Sequence, residues 1–295
     1  MAHFSRRDFL KTTVAAGVAA GAGSLPVQAA RRSATDWVTL GDSGVKVTRL
    51  AFGTGTFGGR IQRDLGQEEF TKLVRHAYDR GIRFFETADA YKEMPGRLAA
   101  ALKGIPRDSY KLMTKFRWRN PEDAFGTIDR FRKELNSDYF DILLIHCVRT
   151  LQWPQELAKL RDDFSEAKHR KIILSHGASC HGLLPLRAFP GNKWLDVALL
   201  RVNHDGSRMD TIEGESKNKG DVKEVVSHIK NIHAQGTGVL GMKLIGEGSF
   251  TSPEQRQASL DFVMKLGTVD AVTIGFKSTA EIDEAIERMN RSLNA

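Results

Sequence analysis

Period is the strongest constraint on what this chain can fold into. Short runs rich in β-branched and aromatic residues alternate with longer segments whose apolar residues recur at helical spacing. The strand candidates are 49–53, 83–87, 111–115, 140–146, 172–175, 197–202, 238–244 and 271–274. Helical patterns fill 67–80, 96–102, 121–136, 154–169, 221–234, 253–266 and 279–293, with a weaker one over 183–189. Eight such βα units with no Pro/Ser-rich linker between them predict one α/β domain, a (β/α)8 TIM barrel with a parallel sheet closed on itself. Ahead of the first barrel strand, Trp37-Val38-Thr39 and Val45-Lys46-Val47 flank Gly41-Asp42-Ser43-Gly44, a turn signal that predicts a β-hairpin closing the barrel floor.

The N-terminus carries a different message. Ser5-Arg6-Arg7-Asp8-Phe9-Leu10-Lys11 precedes an uncharged, Gly- and Ala-rich stretch over 12–30, the pattern of a twin-arginine signal peptide. That stretch has no polar face and is a poor membrane span, and Val27-Gln28-Ala29 places signal cleavage after Ala29. The expected division is therefore a signal over 1–29 and a barrel over 30–295, exported folded to the periplasm by the twin-arginine machinery. Export in the folded state suits a protein that takes up a cofactor first. Losing Arg6, Arg7 and Lys11 against Asp8 leaves the chain mildly basic, with no Lys/Arg block interleaved with aromatics, so no nucleic-acid partner is expected. The mature part has no apolar run long enough to cross a bilayer, and the alternation beside His146 predicts Cys147 and Cys180 as two thiols rather than a disulfide.

Barrels of this class do their chemistry at the C-terminal ends of the strands. The polar residues expected there are Glu86, Tyr91, Lys115, His146, His176, Ser179, Asn203, His204 and Asp205. An acid, a phenol, an amine and an imidazole on consecutive strand ends can reduce a carbonyl. Tyr91 would give the proton, and a nearby Lys115 ammonium would lower the phenol's pKa. Glu86 would hold Lys115 charged, and His146 would orient the substrate oxygen. The hydride must come from a cofactor.

Phe84-Phe85-Glu86-Thr87-Ala88-Asp89-Ala90-Tyr91, Thr114-Lys115 and Asp138-Tyr139-Phe140-Asp141-Ile142-Leu143-Leu144-Ile145-His146 occur in the order found in aldo-keto reductases. From about Trp37 to Leu293 the chain resembles that family, as a divergent exported subgroup. The resemblance implies a catalytic tetrad of Glu86, Tyr91, Lys115 and His146, a small-molecule carbonyl substrate, and NADP(H), with NAD(H) as the other cofactor. Glu86 stands where the family has Asp, so the contact with Lys115 must be rebuilt. Lys92 replaces the Gly that usually follows the Tyr.

The same resemblance implies a nicotinamide site at Ser179, with Cys180 in place of its Asn and Arg201 in place of its Gln. It also places Asn203 and His204, the latter as a ring-stacking residue, and Lys243 around the dinucleotide. Lys277 and Ser278 suit the adenosine phosphate, whereas Glu281, where an Arg is usual, suits ribose hydroxyls. Two rivals remain on the residues alone. One is a metal-dependent barrel hydrolase or isomerase using His146, His176, His181, His204 and Asp205, against a reading with no metal ligands. The other is a non-catalytic cofactor- or partner-binding protein on the same fold.

Overall fold

The computed structural model describes residues 31–117, 119–214 and 218–295. The expected signal over 1–29 and its cleavage site lie outside the described residues. Strands β1 (Trp37–Thr39) and β2 (Lys46–Thr48) form the antiparallel hairpin, and β3 (Leu50–Gly53), β4 (Phe84–Glu86), β5 (Lys111–Arg117), β6 (Phe140–Val148), β7 (Ile173–Cys180), β8 (Val197–Arg201), β9 (Gly238–Met242) and β10 (Ala271–Gly275) form the barrel. Neighbouring barrel strands are parallel, and β10 pairs with β3 to close the ring. This is the expected (β/α)8 architecture.

Helices α1 (Arg60–Arg63), α2 (Gly66–Asp79), α3 (Met94–Leu102), α4 (Ala124–Glu134), α5 (Trp153–Glu156), α6 (Ala158–His169), α7 (Leu183–Leu186), α8 (Val222–Ala234), α9 (Pro253–Lys265) and α10 (Thr279–Leu293) surround it. The best sequence-coded start is that of α9. Ser252 accepts from the Gln255 amide, Gln255 answers in a capping box, and Pro253 occupies the first turn, where its missing N–H costs nothing. The helix expected over 154–169 is broken into α5 and α6 at Leu157, and the weak pattern at 183–189 yields only one turn.

Two apolar layers follow from strand alternation. Phe52, Phe85 and Phe116 point outward against the helices, meeting Phe70, Tyr110, Phe131 and Phe164 edge-on or tilted. Ala51, Phe84, Met113, Ile142, Leu144, Val197, Leu199, Leu240 and Ala271 fill the interior, and Leu40, Val45 and Val47 from the hairpin pack beneath them. The hairpin thus seals the floor. It is fastened there by the Asp42 amide donating to the Gly236 carbonyl at 2.7 Å and by a bridge between Gly41 and Thr237.

Interior space is consumed at the floor and left at the mouth. The register that matters there is that of β5 on β6. Buried Asp141 accepts from the Leu112 amide at 2.9 Å and pairs with Arg107 and Lys111 at 2.8 and 3.1 Å. With that register, Lys115 stands opposite Leu144 and Arg117 opposite His146.

Candidate active site

At the mouth, Glu86 ends β4, Lys115 lies two residues inside the end of β5, and His146 lies on β6. Tyr91 follows β4 on a turn whose amide donates to the Ala88 carbonyl at 3.1 Å. Lys115 Nζ donates to Glu86 Oε1 and, at 2.8 Å, to the Thr87 carbonyl. It also lies 4.8 Å from the centre of the Tyr91 ring. The His146 ring meets Tyr91 edge-on, with centroids 5.4 Å apart. The four residues named from sequence are thus brought together.

The extra methylene of Glu86 is accommodated by a glycine. A Cβ on Gly53 would stand 3.0 Å from Glu86 Oε2, and the carboxylate instead accepts from Thr273 Oγ1 at 3.3 Å. Gly55 does the same for the phenol, since a Cβ there would come within 2.6 Å of the Tyr91 hydroxyl.

Charge in the site differs from the expectation in one respect. Burial, reinforced by the Glu86 carboxylate, holds the Tyr91 phenol well above its usual value rather than below it. The Lys115 ammonium is already compensated by Glu86, so it does not act on Tyr91 as a lone cation. Burial lowers the Lys115 pKa against the opposing pull of Glu86. Burial, then Lys115, Arg117 and Arg149, keep His146 well below the usual imidazole range. At neutral pH the site therefore holds a neutral phenol and a neutral imidazole.

A groove of about 470 Å³ runs from Glu86 and Tyr91 past Met242, Lys243 and Gly275 to Lys277, Glu281 and Arg288. Of the residues assigned to a cofactor, Lys243, Lys277 and Glu281 line it. Lys243 is paired with Glu247, and Glu281 accepts from the Lys277 amide at 2.9 Å. Ser278 caps α10, accepting from the Glu281 amide at 3.3 Å.

The other residues assigned to a cofactor lie outside the groove lining. Asn203 is fully buried, and its amide is consumed locally. Nδ2 donates to the Ser207 and Lys243 carbonyls at 2.8 and 3.1 Å, and Oδ1 accepts from the Asp205 and Gly206 amides at 3.1 and 2.8 Å. It staples the loop after β8 to the end of β9. Arg201, nearly sealed, is engaged by His181 Nδ1 and, at 3.5 Å, by Asp210. His204 packs on Phe250, with centroids 5.2 Å apart, rather than lining the groove. Ser179 is buried and accepts from the Cys147 amide at 2.8 Å. That amide belongs to a bulge in β6 where Cys147 has φ 63°, so strand alternation does not decide where its side chain points. Cys147 and Cys180 are both buried thiols.

The rival metal arrangement is not assembled. His176 stacks flat on Trp194, with centroids 4.5 Å apart, and Asp205 binds Lys219 and Ser207. Among the described residues, no three His, Cys, Asp or Glu side chains are placed to share an ion. The sequence reading also missed residues on the groove wall. Gln62 donates to the Gly53 carbonyl at 2.9 Å, and Arg256 and Arg288 converge on Glu284 at 2.8 and 2.6 Å. The i,i+4 spacing of Glu284 and Arg288 is that of any helix-surface ion pair, so it carries no signal of a groove-lining role.

Residues 49–294 match the model of the aldo/keto reductase family, and residues 3–23 match that of twin-arginine translocation signal sequences. The chain belongs to the aldo/keto reductase family. Among curated relatives of this aldo/keto reductase family member, probable aldo-keto reductase 1 of Glycine max is 27% identical over 170 residues, 51% of this chain and 49% of its own length. L-galactose dehydrogenase of Arabidopsis thaliana is 32% identical over 119 residues, 37% of this chain and 36% of its own. The chain spans about half the length, or less, of these relatives. Two solved structures share the fold. A putative aldo-keto reductase from Pseudomonas aeruginosa superposes with a TM-score of 0.69 at 22% identity, covering 89% of this chain and 98% of the other. An aldo-keto reductase from Klebsiella pneumoniae in complex with NADPH gives 0.64 at 14% identity, covering 86% and 89%. The match at residues 3–23 puts this family member on the twin-arginine export route, and among the described residues no helix is long and apolar enough to cross a membrane.

Proposed function

We propose that the protein is an exported NAD(P)(H)-dependent oxidoreductase that interconverts a small carbonyl compound and its alcohol. The observation that carries the reading is the convergence of Lys115 and His146 on Tyr91, which with Glu86 lines the inner end of the long groove. The groove suits a dinucleotide. Gly275 keeps its floor open, since a Cβ there would meet Thr56 Oγ1 at 2.4 Å, and Lys277, Arg256 and Arg288 gather cations at its far end. A nicotinamide dinucleotide, when bound, supplies the hydride.

The chain's own residues supply the rest. Tyr91, kept protonated by burial and Glu86, donates its proton to the carbonyl oxygen as charge develops there, a step worth about 10²–10⁴ in rate. His146, kept neutral, offers a ring N–H to the same oxygen and orients it. Lys115, fixed by Glu86 and the Thr87 carbonyl, holds a cation beneath the phenol for the phenolate that remains. In the alcohol-oxidising direction the same groups return the proton.

NADP(H) is the proposed cofactor, because Arg256 and Arg288 add to Lys277 at the adenosine end. Glu281 is the observation that favours NAD(H), by accepting from ribose hydroxyls. Cleavage after Ala29 would release residues 30–295 as the mature barrel in the periplasm. Scarcity of free nicotinamide nucleotide there calls for a dinucleotide loaded before export and held tightly. Protein purified from the exported compartment should release near-stoichiometric NADP(H) on denaturation, identified by mass. Release of NAD(H) instead would reassign the adenosine end. An empty site with only weak affinity for both would leave a non-catalytic protein on this fold.

A further inference from the structure

Beside the tetrad, the turn that follows β7 is held unusually firmly. The Gly182 amide donates to Asp210 at 2.8 Å, the Leu183 amide donates to the Thr211 carbonyl at 2.9 Å, and Arg201 reaches the His181 ring while pairing with Asp210. The Arg201 contact decides the chemistry of His181. A guanidinium has only donors, so His181 Nδ1 must present a lone pair and the ring proton must sit on Nε2. Protonating His181 would set two cations against each other in a buried corner, and burial and Arg201 hold it far below the usual imidazole range. His181 is therefore a neutral ring with one fixed N–H, and Nε2 makes no hydrogen bond to any described residue.

Two neighbours give that N–H a use. On one side the His181 ring meets His146 edge-on, with centroids 6.5 Å apart. On the other it borders a second cavity of about 310 Å³, walled also by Arg149, Pro185, Ile212 and Glu213. With the His181 N–H, the Arg149 guanidinium and the Glu213 carboxylate on it, this wall is mainly polar and offers both donors and an acceptor, which suits a carbon chain bearing hydroxyls better than a bare hydrocarbon or a lone anion. The spacing of the two imidazoles lets each reach one of two oxygens on adjacent carbons.

We propose that His181 is a substrate-binding residue for the second oxygen of an α-oxygenated carbonyl compound, one with an oxygen on the carbon next to the reacting carbonyl. Arg201 and Asp210 act through His181 as positioning residues. The assignment rests on the oxidoreductase reading above.

Lactaldehyde and propionaldehyde differ only in that α-oxygen, so the pair isolates it. The holoenzyme should favour lactaldehyde in kcat/KM by about tenfold or more, the value of one well-placed hydrogen bond. His181→Leu should bring the ratio close to one by raising KM for lactaldehyde, while propionaldehyde turnover stays within about threefold. His181→Gln, which keeps an N–H donor, should restore part of the preference. Imidazole nitrogen NMR of the wild-type protein should show His181 as the Nε2–H tautomer, without titration from about pH 5 to 8. Equal use of both aldehydes by the wild type, or a His181 ring that titrates in that range, overturns the assignment while leaving the oxidoreductase reading standing. Turnover of neither aldehyde, nor of any other carbonyl, removes both.

Discussion

Replacing Glu86 by Gln keeps the side chain's shape and removes the charge that answers Lys115. Both side chains are almost sealed, at 5% and 2% exposure, so solvent screening offers little relief. Losing one partner of such a buried pair typically costs 3–5 kcal/mol, and the retained amide oxygen can still accept from Nζ, so a loss of about 3 kcal/mol is expected at neutral pH. The sign with pH is fixed by Lys115. Its folded pKa lies below the unfolded value of 10.5, so the folded state gives up the proton first and stability rises with pH between those two values. Without Glu86 the folded value falls further, and the deficit of the variant shrinks as pH rises and the buried amine becomes neutral. Urea unfolding of wild type and variant across pH 6–10 measures this directly. The kinetic expectation runs in the same direction. Glu86 is the strongest charge raising the Tyr91 pKa, so its removal should move the basic limb of the kcat/KM profile to lower pH. A variant as stable as wild type throughout, or a basic limb that moves upward, would refute the account of the pair.

Further outcomes can be read from single substitutions. Tyr91→Phe should lower carbonyl reduction by about 10²–10⁴ while leaving dinucleotide affinity nearly intact, as fluorescence titration would show; undiminished turnover removes Tyr91 as the donor. Gly55→Ala should displace the Tyr91 hydroxyl, because the new Cβ would come within 2.6 Å of it, and the loss should fall on kcat with modest change in melting temperature. Asn203→Ala strands two carbonyls and two amides of the loop after β8 and should cost about 1–3 kcal/mol in thermal or urea unfolding. If instead it weakens dinucleotide binding at unchanged stability, Asn203 is a ligand after all.

Much of this molecule was legible in its sequence because periodicity and strand order carry it. Strand cores, the capping box at Ser252 and the hairpin turn are local codes, and the barrel follows from their number. The grouping of Glu86, Tyr91, Lys115 and His146 was legible because each sits at a fixed offset from an apolar strand. What escaped depends on partners distant in sequence. The contacts of Arg201 with Asp210 and His181, and of Asn203 with four backbone groups, left no mark in the sequence. The bulge at Cys147 also left no sequence signal, since an extra residue in one strand is visible only against its neighbour's register. The upward shift of the Tyr91 pKa was not legible because it comes first from burial, which depends on the folded surroundings, and then from the Glu86 carboxylate.

The pairing of β10 with β3 sets a condition on timing. Until residue 271 and its neighbours are in place, β3 and β9 each present an unpaired edge, and an open parallel sheet with bare edges invites association with other chains. The export address stands at the opposite end of the chain, at residues 3–23, and is complete hundreds of residues before the ring can close. A route that carries finished proteins resolves this conflict. On the folded-export route expected from the sequence, the address can be made early and acted on late, so that what crosses the membrane would be a sealed cylinder with no edge to offer.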